Sequence, residues 1–375
     1  MTLTNDLANW AGTGANSSAL RNRIINGNMV IDQRNAGAQI TAANLTNETY
    51  MVDRWKYQAS QAAKFTAQQN AGSVTTAVGF PNYLGMTVAT VVTVGVSDYF
   101  HILQVIEGFN FADLAWGTAN AKTVTLSFVV YSSLTGTFGG ALRNSTATRC
   151  YPFTYTISSA NTWTTISVTI AGDTSGTWVG ATNGIGVQVG FALGVGTTYS
   201  GTAGAWAATN YVSATGAVSV VGTSSATFYI TGVQLESGTA STPFERRQYS
   251  QELILCQRYY SKSSSTNVVP VNGSAYGTAG MFISGIINAY SNTNGYGPTL
   301  SYPVVMRTTP TITYYSTALG TTTAGSWSIY TNTWNTTTST VTNAQSDQSF
   351  GPGVVGTFTA GAGLFFGAWT ASAEL

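Results

Sequence analysis

The chain has 375 residues, 43% of them hydrophobic and only 7% charged, and its 14 Lys and Arg against 13 Asp and Glu leave a net charge of +1. Ordinary soluble domains carry roughly 25% charge, so hydroxyl and amide groups must hydrate this surface. A disordered chain, a basic nucleic-acid interface and a spanning helix of ~20 apolar residues are all excluded, and no binding to nucleic acid or insertion into a membrane is expected.

In chain order, residues 1–22 are small and polar apart from Trp10, and read as an extended N-terminal arm anchored on a partner through Trp10 and Leu20. Asp6 stands where a secretory leader needs a cation, so synthesis in a reducing cytoplasm is expected, with Cys150 and Cys256 as small buried thiols. A first charged island follows, RNRIINGNMVIDQRNAG at residues 21–37, with a tight turn at Asn26-Gly27. Residues 50–58 read as a strand anchored by Trp55.

Strands then recur at short intervals. Val124, Leu126, Phe128 and Val130 alternate with hydroxyl residues, as do Tyr151, Phe153, Tyr155 and Ile157, and Ile166, Val168 and Ile170. Residues 185–191 continue the pattern, and residues 227–235 are apolar on both faces, which predicts a central strand. The Gly-Ser-Thr-rich stretches 135–147 and 194–216 read as rim loops. This spacing predicts an antiparallel two-sheet sandwich.

A second island, PFERRQYSQELILCQRYYS at residues 243–261, is the one place where a helix fits, with Leu253, Cys256, Gln257 and Tyr260 on one face, the alternative being the strand that opens the next domain. From Ser263 to Ala373 the only charges are Arg307 and Asp347, and strands are expected at 268–269, 280–289, 302–306, 311–315, 326–334 and 357–370. The chain therefore reads as three parts: the arm at 1–22, a first β domain at 23–250, and a second, smaller β-sandwich at 251–375.

The segments RIINGNMVIDQRNAG (23–37), VDRW (52–55), GVQLESG (232–238) and PFERRQYSQELILCQRYY (243–260) resemble a group of bacteriophage virion proteins, described as tail fibre or minor tail proteins. So do SDYFHILQVIEGFNFADLAWGTANAKTVTLSF (97–128) and NTWTTISVTIAGDTSGTW (161–178) between them. The resemblance covers about residues 21–261. It implies a jelly-roll sandwich similar to carbohydrate-binding modules, in a protein of the phage particle that assembles in the host cytoplasm. It also implies a homotrimer and attachment to other tail or head proteins through the arm. It carries over no functional residue.

For catalysis the residues offer little. His101 is the single histidine and sits in apolar surroundings, where a satisfied structural histidine is the expectation. The acids lie beside basic residues or turns (Asp32 near Arg34, Asp53 beside Arg54, Glu245 beside Arg246), which predicts local ion pairs and caps. Residues 263–373 hold one acid, Asp347, so one copy offers no carboxylate pair there for glycan hydrolysis. Asp32, Asp53 and Glu236 could hold a calcium ion if the strands bearing them met, yet no metal or cofactor is expected.

Sugar binding suits the composition better, because a sugar offers an apolar C–H face and a rim of hydroxyls. In SWSIYTNTWN, strand alternation puts Trp327 and Ile329 inward and Tyr330, Asn332 and Trp334 outward, with Tyr296 a further candidate. These four are the expected carbohydrate-binding residues. The alternative for each is burial at an interface between copies. The function expected is thus a non-enzymatic fibre protein contacting host-surface glycan. A purely structural collar, fibre or decoration protein is the alternative, and a glycan depolymerase a further one.

Overall fold

Thr and Ser alternating with branched apolar residues give half-buried strands, and the structure is all-β with antiparallel sheets. The computed structural model describes residues 21–273, 282–289, 294–316, 324–330, 333–357 and 362–375. The chain divides into two units. The first holds residues up to 30, 39–50 and 55–247, and the second holds 31–38, 51–54 and 248–375. Two short segments from the stretch read as the first domain thus belong to the second unit.

The strands of the first unit are β1 (Thr49–Tyr50), β2 (Trp55–Ala59), β3 (Phe65–Gln69), β4 (Leu84–Val88), β5 (Tyr99–Glu107), β6 (Val124–Ser132) and β7 (Gly136–Arg143). They continue as β8 (Cys150–Ile157), β9 (Thr164–Ile170), β10 (Ile185–Val195), β11 (Ser200–Gly201), β12 (Ser213–Ala214) and β13 (Thr227–Ser237). One sheet runs β1-β2-β5-β10-β7-β8 and the other β3-β4-β13-β6-β9. Neighbours far apart in sequence mark the crossovers of a jelly-roll sandwich.

Aromatic side chains join the two sheets. Phe128 on β6 meets Phe191 on β10 and Tyr155 on β8, each with ring centroids 4.9 Å apart, and Phe65 on β3 meets Phe100 on β5 at 6.4 Å. β13 lies in the middle of its sheet and is buried from Phe228 to Glu236, as its two apolar faces predict.

Stretch 135–147 is not a loop. It forms β7, where Gly139 and Gly140 interrupt the apolar pattern because the backbone is crowded. A Cβ on Gly140 would stand 2.3 Å from the Gly190 carbonyl oxygen and 2.5 Å from Phe153 Cζ. Gly140→Ala is expected to cost about 2–3 kcal/mol through overpacking. Urea unfolding reads this directly, and an unchanged midpoint would contradict it.

The strand expected over 50–58 is broken at 51–54, where Arg54 takes a left-handed φ of 72°. The Asn26-Gly27 turn is present, with the Met29 amide donating to the Asn26 carbonyl at 3.1 Å.

The second unit opens on helix α1 (Tyr249–Gln257), then β14 (Tyr260–Lys262), β15 (Phe282–Ala289), β16 (Asn294–Tyr296), β17 (Leu300–Ser301), β18 (Thr311–Tyr315), β19 (Ser328–Tyr330), β20 (Trp334–Gln345), β21 (Ser349–Thr357) and β22 (Ala362–Ser372). Their ladder returns on itself in the order β22-β15-β16-β21-β20-β19-β22. β22 is its organiser: residues 362–367 pair with β15, and residues 370–372 lie between β14 and β18. Its core gathers Tyr302, Met306, Tyr314, Trp327, Ile329, Phe350, Val354 and Trp369.

Residues 268–269 and 302–306 are not strands, whereas β20 and β21 form a long hairpin that went unpredicted. The helix face is partly rotated from the expected one: Cys256 and Tyr260 are buried as expected, Leu253 and Gln257 are half-buried, Glu252 and Tyr259 are buried as well, and Ile254 is exposed. Both cysteines are buried free thiols.

The two N-terminal segments of this unit explain the rotation. Arg34 and Arg54 stack over the rings of Tyr260 and Tyr259, 3.8 and 3.5 Å from their centroids, and both pair with Glu374. Gln33 donates from its backbone amide and from Nε2 to the Asp53 carboxylate, and Lys262 donates to the Gln33 carbonyl at 2.6 Å. Burial raises the Asp53 carboxyl to about 7 and pulls the Lys262 amine down to about 8. The charges of the two short segments, Asp32, Arg34, Asp53 and Arg54, are therefore engaged inside this unit. Neither Asp32–Arg34 nor Asp53–Arg54 forms the expected local pair: Asp32 caps the amides of Asn35 and Gly37, at 3.0 and 2.8 Å.

Candidate functional site

Strand alternation sends Trp55, Phe100, Ile102 and Phe191 into the sandwich and turns Gln58, Tyr99, His101 and Arg143 to the other face of the six-stranded sheet. The register puts Gln58 opposite His101 and Arg143 opposite Gln188. Over this face folds the Gly-Ser-Thr-rich segment after β10. It is tied down by the Thr198 amide on the Val96 carbonyl (2.9 Å) and the Val212 amide on the Tyr199 carbonyl (2.8 Å). The stretch read as a rim loop is thus the roof of a cavity.

That cavity holds about 190 Å³ and is lined by Gln58, Tyr99, His101, Arg143, Tyr199, Asn210 and Val212. Tyr99 and Tyr199 meet edge to face with centroids 5.2 Å apart, and both are half-buried. Arg143, 7% exposed, donates from Nη1 to Asn210 Oδ1 at 2.9 Å and from Nη2 to Gln188 Oε1 at 2.8 Å. Burial draws its guanidinium down to about 10, which leaves it charged at neutral pH.

His101 is 1% exposed, and neither ring nitrogen has a hydrogen-bond partner. The expected satisfied histidine is therefore corrected: it is buried, as its apolar neighbours suggested, but unsatisfied. Burial, with Arg143 and Lys56 nearby, holds it well below its ordinary range, so the ring is neutral. A neutral imidazole carries one donor and one acceptor.

The sequence reading missed Arg143, Tyr99, Tyr199 and Asn210. Two signals were available: Tyr99 and His101 fall at i and i+2 on one strand, and Arg143 ends an uncharged run that begins at Thr123.

The structure brings two of the four expected sugar-binding residues together. Tyr330 and Trp334 face each other across the β19–β20 pairing, with rings 5.2 Å apart and both exposed. They meet across an antiparallel strand pair, not along one straight strand, and Trp334 also leans on Phe366 at 5.0 Å. Trp327 and Ile329 are buried as alternation predicted. Tyr296 is exposed on β16 and makes no ring contact with this pair. Asn332, Trp10 and Leu20 lie outside the described residues.

Glu236 accepts from the Thr242 amide and hydroxyl at 2.8 and 2.7 Å, and Asp53 is engaged by Gln33. Among the described residues no cluster of three His, Cys, Asp or Glu could hold a metal ion. No helix among them is long and apolar enough to cross a membrane.

No family model and no curated protein matches the sequence. Solved structures show similarity at low identity. One, described as "CBM4 structure and function", is 14% identical with a TM-score of 0.29, covering 56% of this chain and 99% of that one. A second is the family 11 carbohydrate-binding module from Clostridium thermocellum in complex with a mixed-linked tetrasaccharide, 14% identical at a TM-score of 0.28, covering 52% and 95%. A third is an arabinose-bound α-L-arabinofuranosidase, 15% identical at 0.32, covering 61% of this chain and 29% of that one.

Proposed function

We propose that this chain is a non-enzymatic glycan-binding protein of a phage particle. The observation that carries glycan binding is the cavity on the six-stranded sheet. Two tyrosine rings offer apolar faces for sugar C–H groups, and Gln58, Asn210 and Arg143 offer polar groups for hydroxyls. The lining contains no carboxylate, whereas glycoside hydrolysis commonly employs two, and this supports binding without turnover. The place in a virion is supported by the sequence resemblance over residues 21–261. On that reading residues 1–22 attach the chain to tail or head proteins, a homotrimer presents several weak sites at once, and avidity supplies adhesion to the host surface.

Glycan-array screening followed by calorimetry tests the binding. Replacing Tyr99 and Tyr199 together by Ala is expected to weaken affinity at least tenfold, about 1.4 kcal/mol, with an unchanged thermal midpoint. Undiminished binding by that double variant would sink the cavity as the site.

The exposed Tyr330–Trp334 pair favours a second reading, contact through the second unit. Loss of binding with Trp334→Ala, and not with the tyrosine variant, would select it. Particles that lack this chain when purified and imaged would refute the virion placement.

A further inference from the structure

Buried charges are ordinarily paired, and the arginines of this chain show the rule. Arg23 forks onto Asp113 at 2.6 and 2.8 Å, Arg149 onto Asp173 at 2.8 and 2.6 Å, and Arg34 and Arg54 share Glu374. Arg143 is as deeply placed, yet it donates to the neutral side-chain amides of Asn210 and Gln188, and no acid among the described residues lies within ion-pair distance of it. The cation on the same sheet face, Lys56, is already paired with Glu48 at 2.6 Å, and Glu48 also takes a hydrogen bond from Gln58. The cavity is thus left with a positive charge facing it and no carboxylate in its lining.

A guanidinium carries five N–H donors, and the two amides occupy two of them. The geometry of the fork matches a carboxylate. Beside it stands His101, its two ring nitrogens buried, with the Tyr99 ring 5.9 Å from the imidazole and the Tyr199 ring packed on Tyr99.

We propose that the cavity selects acidic saccharides: Arg143 holds the carboxylate of a uronic-acid-type sugar, the Asn210 and Gln58 amides take adjoining hydroxyls, and Tyr99 and Tyr199 cover the ring. This rests on the glycan-binding reading above and narrows it to a substrate class. A neutral sugar would leave the buried guanidinium uncompensated, whereas a carboxylate forms a charge-assisted bond away from bulk water.

The test is calorimetric titration of the intact chain with oligomers of galacturonate, glucuronate and mannuronate, each beside its methyl ester, which keeps the backbone and removes the charge. At least one acid is expected to bind tenfold or more tighter than its ester, and Arg143→Gln is expected to bring that ratio to about one. The wild-type ratio stands even if the variant folds poorly, and circular dichroism melting reports that separately. Equal binding of acids and esters overturns the acidic preference and leaves glycan binding standing. Binding of sulfated dextran alone overturns the carboxylate assignment. Binding of no saccharide at all, on these titrations and on the array, overturns both.

Discussion

Glu374→Ala is expected to destabilise the second unit by about 3–5 kcal/mol, the range for removing one partner of a buried ion pair. The carboxylate is only 7% exposed and accepts from Arg34 at 2.8 Å and from Arg54, whose side chain is 1% exposed. Both guanidinia are pinned from behind by Tyr260 and Tyr259, so neither swings into water when the carboxylate is lost. The position of Glu374 is itself fixed. Arg307 donates to the carbonyls of Ala373 and Glu374 at 2.6 and 2.8 Å, and the Ala373 amide donates to the Tyr259 carbonyl at 2.8 Å. Glu374→Gln keeps an acceptor and removes the charge, so it should fall between wild type and Ala. Hydrogen exchange at residues 260–262 and 368–373 during urea titration reads the effect where it arises. A loss below about 1 kcal/mol for Ala would show the cluster to be worth no more than an exposed pair.

That cluster also shows what could be read from the sequence and what could not. The two charged islands were legible as special places, and strands such as β6, β9 and β13 were legible because alternation of hydroxyl and branched residues maps directly onto the two faces of a sheet. The partners of the charges were not legible. The backbone leaves the strand at 51–54 and turns left-handed at Arg54, and the two side chains find separate partners: Gln33 donates to the Asp53 carboxylate, and Arg54 donates to Glu374. Arg23 with Asp113 and Arg149 with Asp173 are likewise pairs that only the fold creates.

Helix α1 was found by the spacing of its residues but only partly oriented, since the apolar-face rule assumes that charge faces outward, and here Glu252 is buried. The cavity escaped for a related reason. Its roof, residues 196–214, has no strand periodicity, and its key side chain is one arginine in a strand whose apolar residues point the other way. Hairpin β20–β21 hid because most of its residues are Thr, Ser, Asn and Gly, with few apolar residues in alternation, which reads as loop until a partner strand is supplied.

Two tryptophans seven residues apart, Trp327 and Trp334, give the second large expectation. Trp327→Ala should cost about 3–5 kcal/mol, whereas Trp334→Ala should cost far less. Trp327 is fully buried at the centre of the second unit's core, edge to face with Tyr314 at 5.4 Å, and its indole donates to the Ala368 carbonyl at 2.9 Å. Truncation removes the ring and also leaves that buried carbonyl short of a donor, an additional penalty of about 1–3 kcal/mol if water does not enter. The slot is cut to the ring, because a Cβ on Gly367 would stand 2.0 Å from Trp327 Cδ1. Gly367→Ala is accordingly expected to destabilise the same core from the opposite direction. Trp334 has neither constraint: it rests on Tyr330 and Phe366 with one face open. Thermal unfolding of the two single variants checks the contrast. If Trp334→Ala proved the more damaging, the exposed pair would belong to a packing surface and could not serve as a sugar platform, which would leave the cavity on the six-stranded sheet as the remaining candidate.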